Sequence, residues 1–146
     1  MQLLDTPNPN AKKLIIKHDQ RVGENLNINN FQANEIESIL TYLDENQNRF
    51  GTIAMDIWDY AELGYLERKS TERLQKVLLS EGFEIQSNVA DIPTAFVASF
   101  GVGEPVIGIL AEFDALPGIS QSRAATREIM KEKHAGHACG HHRSSG

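Results

Sequence analysis

The chain has a single cysteine, Cys139, among its 146 residues. No intramolecular disulfide can form, so a disulfide scaffold is excluded and a reducing compartment suits the protein. No apolar run approaches the roughly 20 residues that a membrane-spanning helix needs. The N-terminus, Met1-Gln-Leu-Leu-Asp-Thr-Pro7, has neither the basic start nor the apolar stretch of a secretory signal. An excess of positive charge is missing too: 14 Lys and Arg stand against 20 Asp and Glu, a net charge of −6. That balance argues against a nucleic-acid partner or an anionic membrane surface, since both favour a basic face. No basic cluster with interleaved aromatics occurs, and no internal repeat. These absences lead to the expectation of a cytoplasmic protein with no nucleic-acid and no membrane partner.

What is present has ordinary soluble-globular proportions, 40% hydrophobic and 23% charged. The length suits one domain and is short for two. Residues 1–32 are rich in Asn, with Pro7 and Pro9 early. Asn and Pro favour turns over helix interiors, so this stretch is expected to be a loosely ordered extension, with Leu14–Ile16 its best strand candidate. From residue 33 the pattern turns helical. Ile36, Ile39, Leu40 and Leu43 follow helical spacing, with Asn34 as candidate N-cap and an end predicted between Asn46 and Gly51. A second helix is expected over about 52–63, carrying Ile53, Ile57 and Ala61 on one face with Trp58 beside them as a packing residue. A third is expected from a Ser70 cap, with Leu74, Val77 and Leu78 as its stripe and Gly82 ending it in a left-handed conformation.

After Gly82 the period changes to two. Strands are predicted through Phe83, Ile85 and Val89, and over Thr94–Phe100. Val106–Ala111 is nearly all apolar, which predicts a strand covered on both faces and paired antiparallel with its predecessor. A short helical turn is expected within Thr126–Lys133. The architecture expected is α/β.

Two stretches carry chemistry. The apolar run ends in Glu112-Phe-Asp114-Ala-Leu-Pro-Gly118, two carboxylates at a strand end, where α/β folds place ligand sites and where a solvated strand end looks the same. Near the C-terminus stands His137-Ala-Cys139-Gly-His141, followed by His142. Thiolate and imidazole are ligands for zinc and similar borderline-soft metals. The spacing is not one of the closed four-ligand zinc patterns, and the residues alone are equally those of a solvated tail.

Taken together, Glu112-Phe-Asp-Ala-Leu-Pro-Gly118 and Gly136-His-Ala-Cys-Gly-His141 resemble the metal-dependent amidohydrolases of the aminoacylase and carboxypeptidase superfamily. The stretches Ile92–Gly101 and Pro105–Gln121 look most like the branch that contains indole-acetyl-amino-acid, hippurate and aminobenzoyl-glutamate hydrolases. Ile57-Trp-Asp-Tyr-Ala-Glu-Leu-Gly-Tyr-Leu-Glu67 is similar to that branch's Trp-Asp-His-Pro-Glu segment, with Tyr60-Ala61 in place of His-Pro. The resemblance spans roughly residues 40–142.

The resemblance implies the N-terminal part of an α/β/α sandwich with a mixed sheet, over 33–146, and a parent that is a dimer. It implies two divalent metals per complete site, zinc or manganese. Cys139 and His141 fall on metal ligands. Asp114 falls on an aspartate that supports the metal site, while Glu112 and His137 are not assigned to the metal. The implied reaction is hydrolysis of the amide bond of an N-acyl or N-aroyl amino acid, aminobenzoyl-glutamate-like, or of a dipeptide. The family's general-base glutamate and remaining ligands lie beyond the His-Ala-Cys-Gly-His motif, and here the motif runs into His142-Arg-Ser-Ser-Gly146 instead of Asn or Asp and a helix. This implies a fragment that is inactive by itself. The alternative is a non-catalytic metal-binding or interaction module derived from the same fold.

Overall fold

A computed structural model describes residues 33–144. The predicted loose extension, 1–32, and the Leu14–Ile16 strand lie outside the described residues. Chain contacts divide the molecule into two compact units, 1–44 and 45–146. The described part of the first is helical and carries its apolar side chains outward: Ile36, Ile39, Leu40 and Leu43 are each at least 40% exposed.

Helix α1, Ala33–Tyr60, is continuous for 28 residues where two helices are predicted. It begins one residue before the expected cap, Asn34. Gly51 does not break it. The apolar positions Phe50, Ile53 and Ile57 repeat at helical spacing across the glycine and bury against the rest of the unit. Thr52 also donates its hydroxyl to the Asn48 carbonyl at 2.8 Å, one turn back. Tertiary packing therefore outweighs the ~1 kcal/mol penalty of an interior glycine.

Helix α2, Arg68–Ser80, starts two residues before the predicted Ser70 cap. The reason is Glu62. Its carboxylate accepts hydrogen bonds from the Lys69 N–H at 3.0 Å and the Ser70 N–H at 2.9 Å. It also accepts the Ser70 hydroxyl at 2.9 Å. A carboxylate from outside the helix thus satisfies orphan amides and complements the positive end of the helix dipole. Ser70 then becomes a fully buried first-turn residue, 0% exposed. At the far end Gly82 adopts φ +88°. Its N–H reaches Leu79 O at 3.0 Å and the Phe83 N–H reaches Leu78 O at 3.0 Å, the Schellman ending that the sequence predicts.

Strand β1, Glu84–Ser87, pairs antiparallel with β2, Phe96–Ser99, in the register Glu84↔Ser99 to Ser87↔Phe96. Pro93, which has no N–H to donate, lies before β2 begins. A hydrogen-bonded path ties this hairpin to α2: Thr94 donates its hydroxyl to the buried Glu67 carboxylate at 2.8 Å, and Thr71 donates to the Thr94 carbonyl at 2.9 Å. The core is small. Ile53, Ile57 and Leu74 are buried, with Phe50, Val77, Phe96 and Phe113 packed around them.

The predicted strand over 106–111 does not form a ladder. Val106, Ile107, Ile109 and Leu110 are 78–91% exposed. A doubly covered strand needs neighbours on both edges and layers on both faces; among the described residues β2 pairs with β1 instead. Strand β3, Leu116–Pro117, pairs antiparallel with β4, Ala135–Gly136. A single parallel bridge joins Leu63 to Ala115. The expected helical turn within 126–133 reduces to one turn closed by the Lys133 N–H on Met130 O at 3.2 Å. A short helix α3, His141–Ser144, ends the described chain. The described residues are mixed α/β, helices with two small antiparallel sheets, as an incomplete α/β domain would be.

Candidate functional site

Two residue pairs of β-structure assemble the site. Leu116↔Gly136 and Pro117↔Ala135 set the Glu112–Gly118 stretch alongside the His-Ala-Cys-Gly-His motif. The Gly118 N–H bonds to His134 O at 2.7 Å, extending the contact by one residue. Gly136 is required by this approach, because a Cβ placed on it would collide with the Ile119 carbonyl. On the other side the Ala115 N–H bonds to Glu62 O at 2.7 Å, anchoring the carboxylate segment to the connection between α1 and α2. The motif then turns through two backbone bonds, Gly140 N–H to His137 O at 3.2 Å and Arg143 N–H to Gly140 O at 2.9 Å.

The result is a histidine held between two carboxylates. His141 Nδ1 lies 2.7 Å from Asp114 Oδ1, and Nε2 lies 3.1 Å from Glu112 Oε2. Each ring nitrogen thus faces a carboxylate oxygen, and an N–H at either position donates to it; Glu112 is the more open of the two, 62% exposed against 32% for Asp114. A carboxylate on Nδ1 fixes the tautomer and ring plane of an imidazole and raises its basicity, the usual support of a metal-binding histidine. Cys139, two residues earlier, is exposed.

Of the residues that the sequence singles out, Asp114 and His141 are brought into contact, and Cys139 stands on the same turn. Glu112, left unassigned on sequence grounds, faces the other imidazole nitrogen of His141. For a divalent ion the chemistry of this donor set fits in part: an oriented imidazole, a thiol and carboxylate oxygens are all present. It is not complete, because no group of three or more His, Cys, Asp or Glu able to hold a metal occurs among the described residues.

His137 takes a different part in the structure. Its side chain is buried and its Nε2–H donates to Ile57 O at 3.0 Å, pinning the motif to α1. His142 is buried as well, with its ring edge-on to Trp58 at 4.9 Å between centres. Trp58 is thus a packing residue, as expected, and what it packs is the motif. Burial pushes the His137 imidazole below its ordinary pKa, against the pull of the Ile57 carbonyl and the Asp114 charge. Burial also lowers His142, with His137 and Arg143 adding to the effect. Sequence reasoning missed Glu62 as the group that caps α2. The signal available was its place eight residues before Ser70, in the segment that resembles Trp-Asp-His-Pro-Glu.

No helix is long and apolar enough to cross a membrane among the described residues. No family model matches the chain. Over 111 residues it is 40% identical to a subunit of the p-aminobenzoyl-glutamate hydrolase of Escherichia coli (strain K12). The chain is a partial match to that hydrolase subunit, similar over 73% of its own length while spanning 23% of the relative's.

Proposed function

We propose that this chain contributes part of the metal site of a hydrolase that cleaves the amide bond of an N-acyl or N-aroyl amino acid, with aminobenzoyl-glutamate as the substrate class. The single observation that carries the reading is the Asp114–His141 contact of 2.7 Å within a sequence 40% identical to an aminobenzoyl-glutamate hydrolase subunit. Cys139 and His141 would be the donors, with Asp114 holding the His141 ring through Nδ1. Zinc or manganese is the ion proposed, two per complete site. When bound, such an ion lowers the pKa of water and polarises the scissile carbonyl. Glu112 adds negative charge beside Nε2, and the Glu62-to-Ala115 anchor keeps the carboxylate segment in register with the motif.

With two ligand positions in this chain, the general base and the other donors of a complete site are proposed to come from further residues of a longer protein. The relative is designated a subunit, and we propose that the whole protein works in an assembly, with a dimer as the expected form. Residues 33–146 are proposed as a portion of its catalytic domain, in a cytoplasmic protein.

A chimera tests this reading. The matched 111 residues of the Escherichia coli relative would be replaced by those of this chain. Release of aminobenzoate is expected from the chimera and is expected to fall to background in its Cys139→Ser and His141→Ala variants. A folded chimera without hydrolysis, or one indifferent to both substitutions, contradicts the proposal. The 146-residue chain by itself is expected to release none.

A further inference from the structure

The first turns of α1 carry an apolar stripe that stands open. Ile36, Ile39, Leu40 and Leu43 fall within an arc of about 100° on the helix, and they are 40–56% exposed. The flanks of the stripe are acidic. Glu37 and Asp44, seven residues apart, stand on one side and Glu35 on the other, all three exposed. No Lys or Arg occurs over 33–48. The chemistry of an occupant follows: a short apolar run bordered by positive charge. A second copy of the same helix does not supply it. Two such stripes face to face set carboxylates against carboxylates with no cation between them, and like charges so placed repel.

Residues 12–22, which lie outside the described part, have the required composition. Leu14, Ile15 and Ile16 are consecutive, with Lys12 and Lys13 before them and Lys17 and Arg21 after. Asp19 is the one acid against these four bases, a net charge of +3 with His18 neutral. Three extended residues span ~10 Å, and the stripe from Ile36 to Leu43 covers about the same length at ~1.5 Å per residue. Ten residues, 23–32, join the segment to α1. Gly23 and the four Asn among them suit a reversal of the chain. A short tether holds a segment near its target at an effective concentration on the order of millimolar, so weak apolar and ionic contacts suffice.

We infer that the basic apolar segment 12–22 folds back within the same chain and docks on the Ile36, Ile39, Leu40 and Leu43 face of α1, with its lysines against Glu35, Glu37 and Asp44. Disulfide trapping in the full chain tests this. Cys139→Ser removes the native thiol. In that background Ile15→Cys is combined with Leu40→Cys on the stripe, or with Ser38→Cys on the opposite face of the same helix. In a glutathione buffer the Leu40→Cys combination is expected to close an intrachain disulfide roughly tenfold more readily than the Ser38→Cys combination. Adding Lys12→Glu, Lys13→Glu and Lys17→Glu is expected to abolish most of that preference. Circular dichroism checks that each chain keeps its helices, and Leu43→Cys replaces Leu40→Cys if one does not. Three results overturn the inference: equal closure with both faces, which makes 12–22 an undirected tail; disulfide-linked dimers in place of intrachain closure, which makes a second copy the occupant; or a preference that the three Glu substitutions leave unchanged, which removes the charge match.

Discussion

Asp114 is the residue on which the proposed site turns. It touches His141 Nδ1 at 2.7 Å and holds the ring from behind. Asp114→Asn keeps the shape and removes the charge, so zinc binding measured by calorimetry is expected to weaken about 10–100-fold, the usual effect of losing such support. An unchanged affinity would mean that the contact does not orient a ligand. The buried histidines make a second statement at this scale. Both have folded-state pKa values below the ordinary imidazole value. As pH falls through the unfolded value near 6.5, the unfolded chain takes up protons that the folded chain refuses, so stability is lost until the folded pKa is reached. The groups near His137 are Asp114, His141 and Lys133, and His142 faces His137 and Arg143. The urea midpoint is therefore expected to be lower at pH 5.5 than at pH 7.5, and the difference to shrink in His142→Phe. A midpoint that rises on acidification contradicts this.

At the scale of elements, α1 and α2 show which features are legible in sequence. The apolar spacings of both helices, the Gly82 ending and the β-period through Ile85 are local signals found in the structure, whereas Val89, predicted in the same strand, begins a 3-10 turn. The predicted division of α1 fails because Gly51 reads as a stop, whereas Phe50 and Ile53 on either side of it bury in one core. An added Cβ at Gly51 meets nothing within 4 Å. Gly51→Ala should accordingly raise stability by about 0.5–1 kcal/mol in denaturant unfolding. The start of α2 differs from its prediction for a non-local reason: Glu62, folded back from the preceding turn, takes the place of a Ser70 cap. Glu62→Ala should cost about 1–2 kcal/mol, the range of a lost N-cap, and a neutral result would show that water replaces it. The Asp114–His141 contact is legible only by resemblance. Periodicity does not announce that two residues of β3 and two of β4 will pair across the long connection between them.

At the scale of the molecule, the apolar cluster among the described residues is Ile53, Ile57 and Leu74 with their partly buried neighbours, while Val106, Ile107, Ile109 and Leu110 face solvent. The continuous apolar run is the composition of a segment that wants cover, and the described residues do not supply it. An exposed apolar stretch of this kind promotes self-association. Sedimentation should show association that rises with concentration and falls in Ile109→Lys; identical behaviour of the two chains would remove the 106–110 run as the cause. The same incompleteness marks the site, where one imidazole is oriented and a thiol stands on the same turn without a third ligand among the described residues. Cys139 and His141 are nonetheless the proposed metal donors. Calorimetric titration of zinc into the wild-type chain and into Cys139→Ser, His141→Ala tests that assignment most directly. Binding at least tenfold tighter to the wild type is expected; equal affinity of the two chains would rule out Cys139 and His141 as donors.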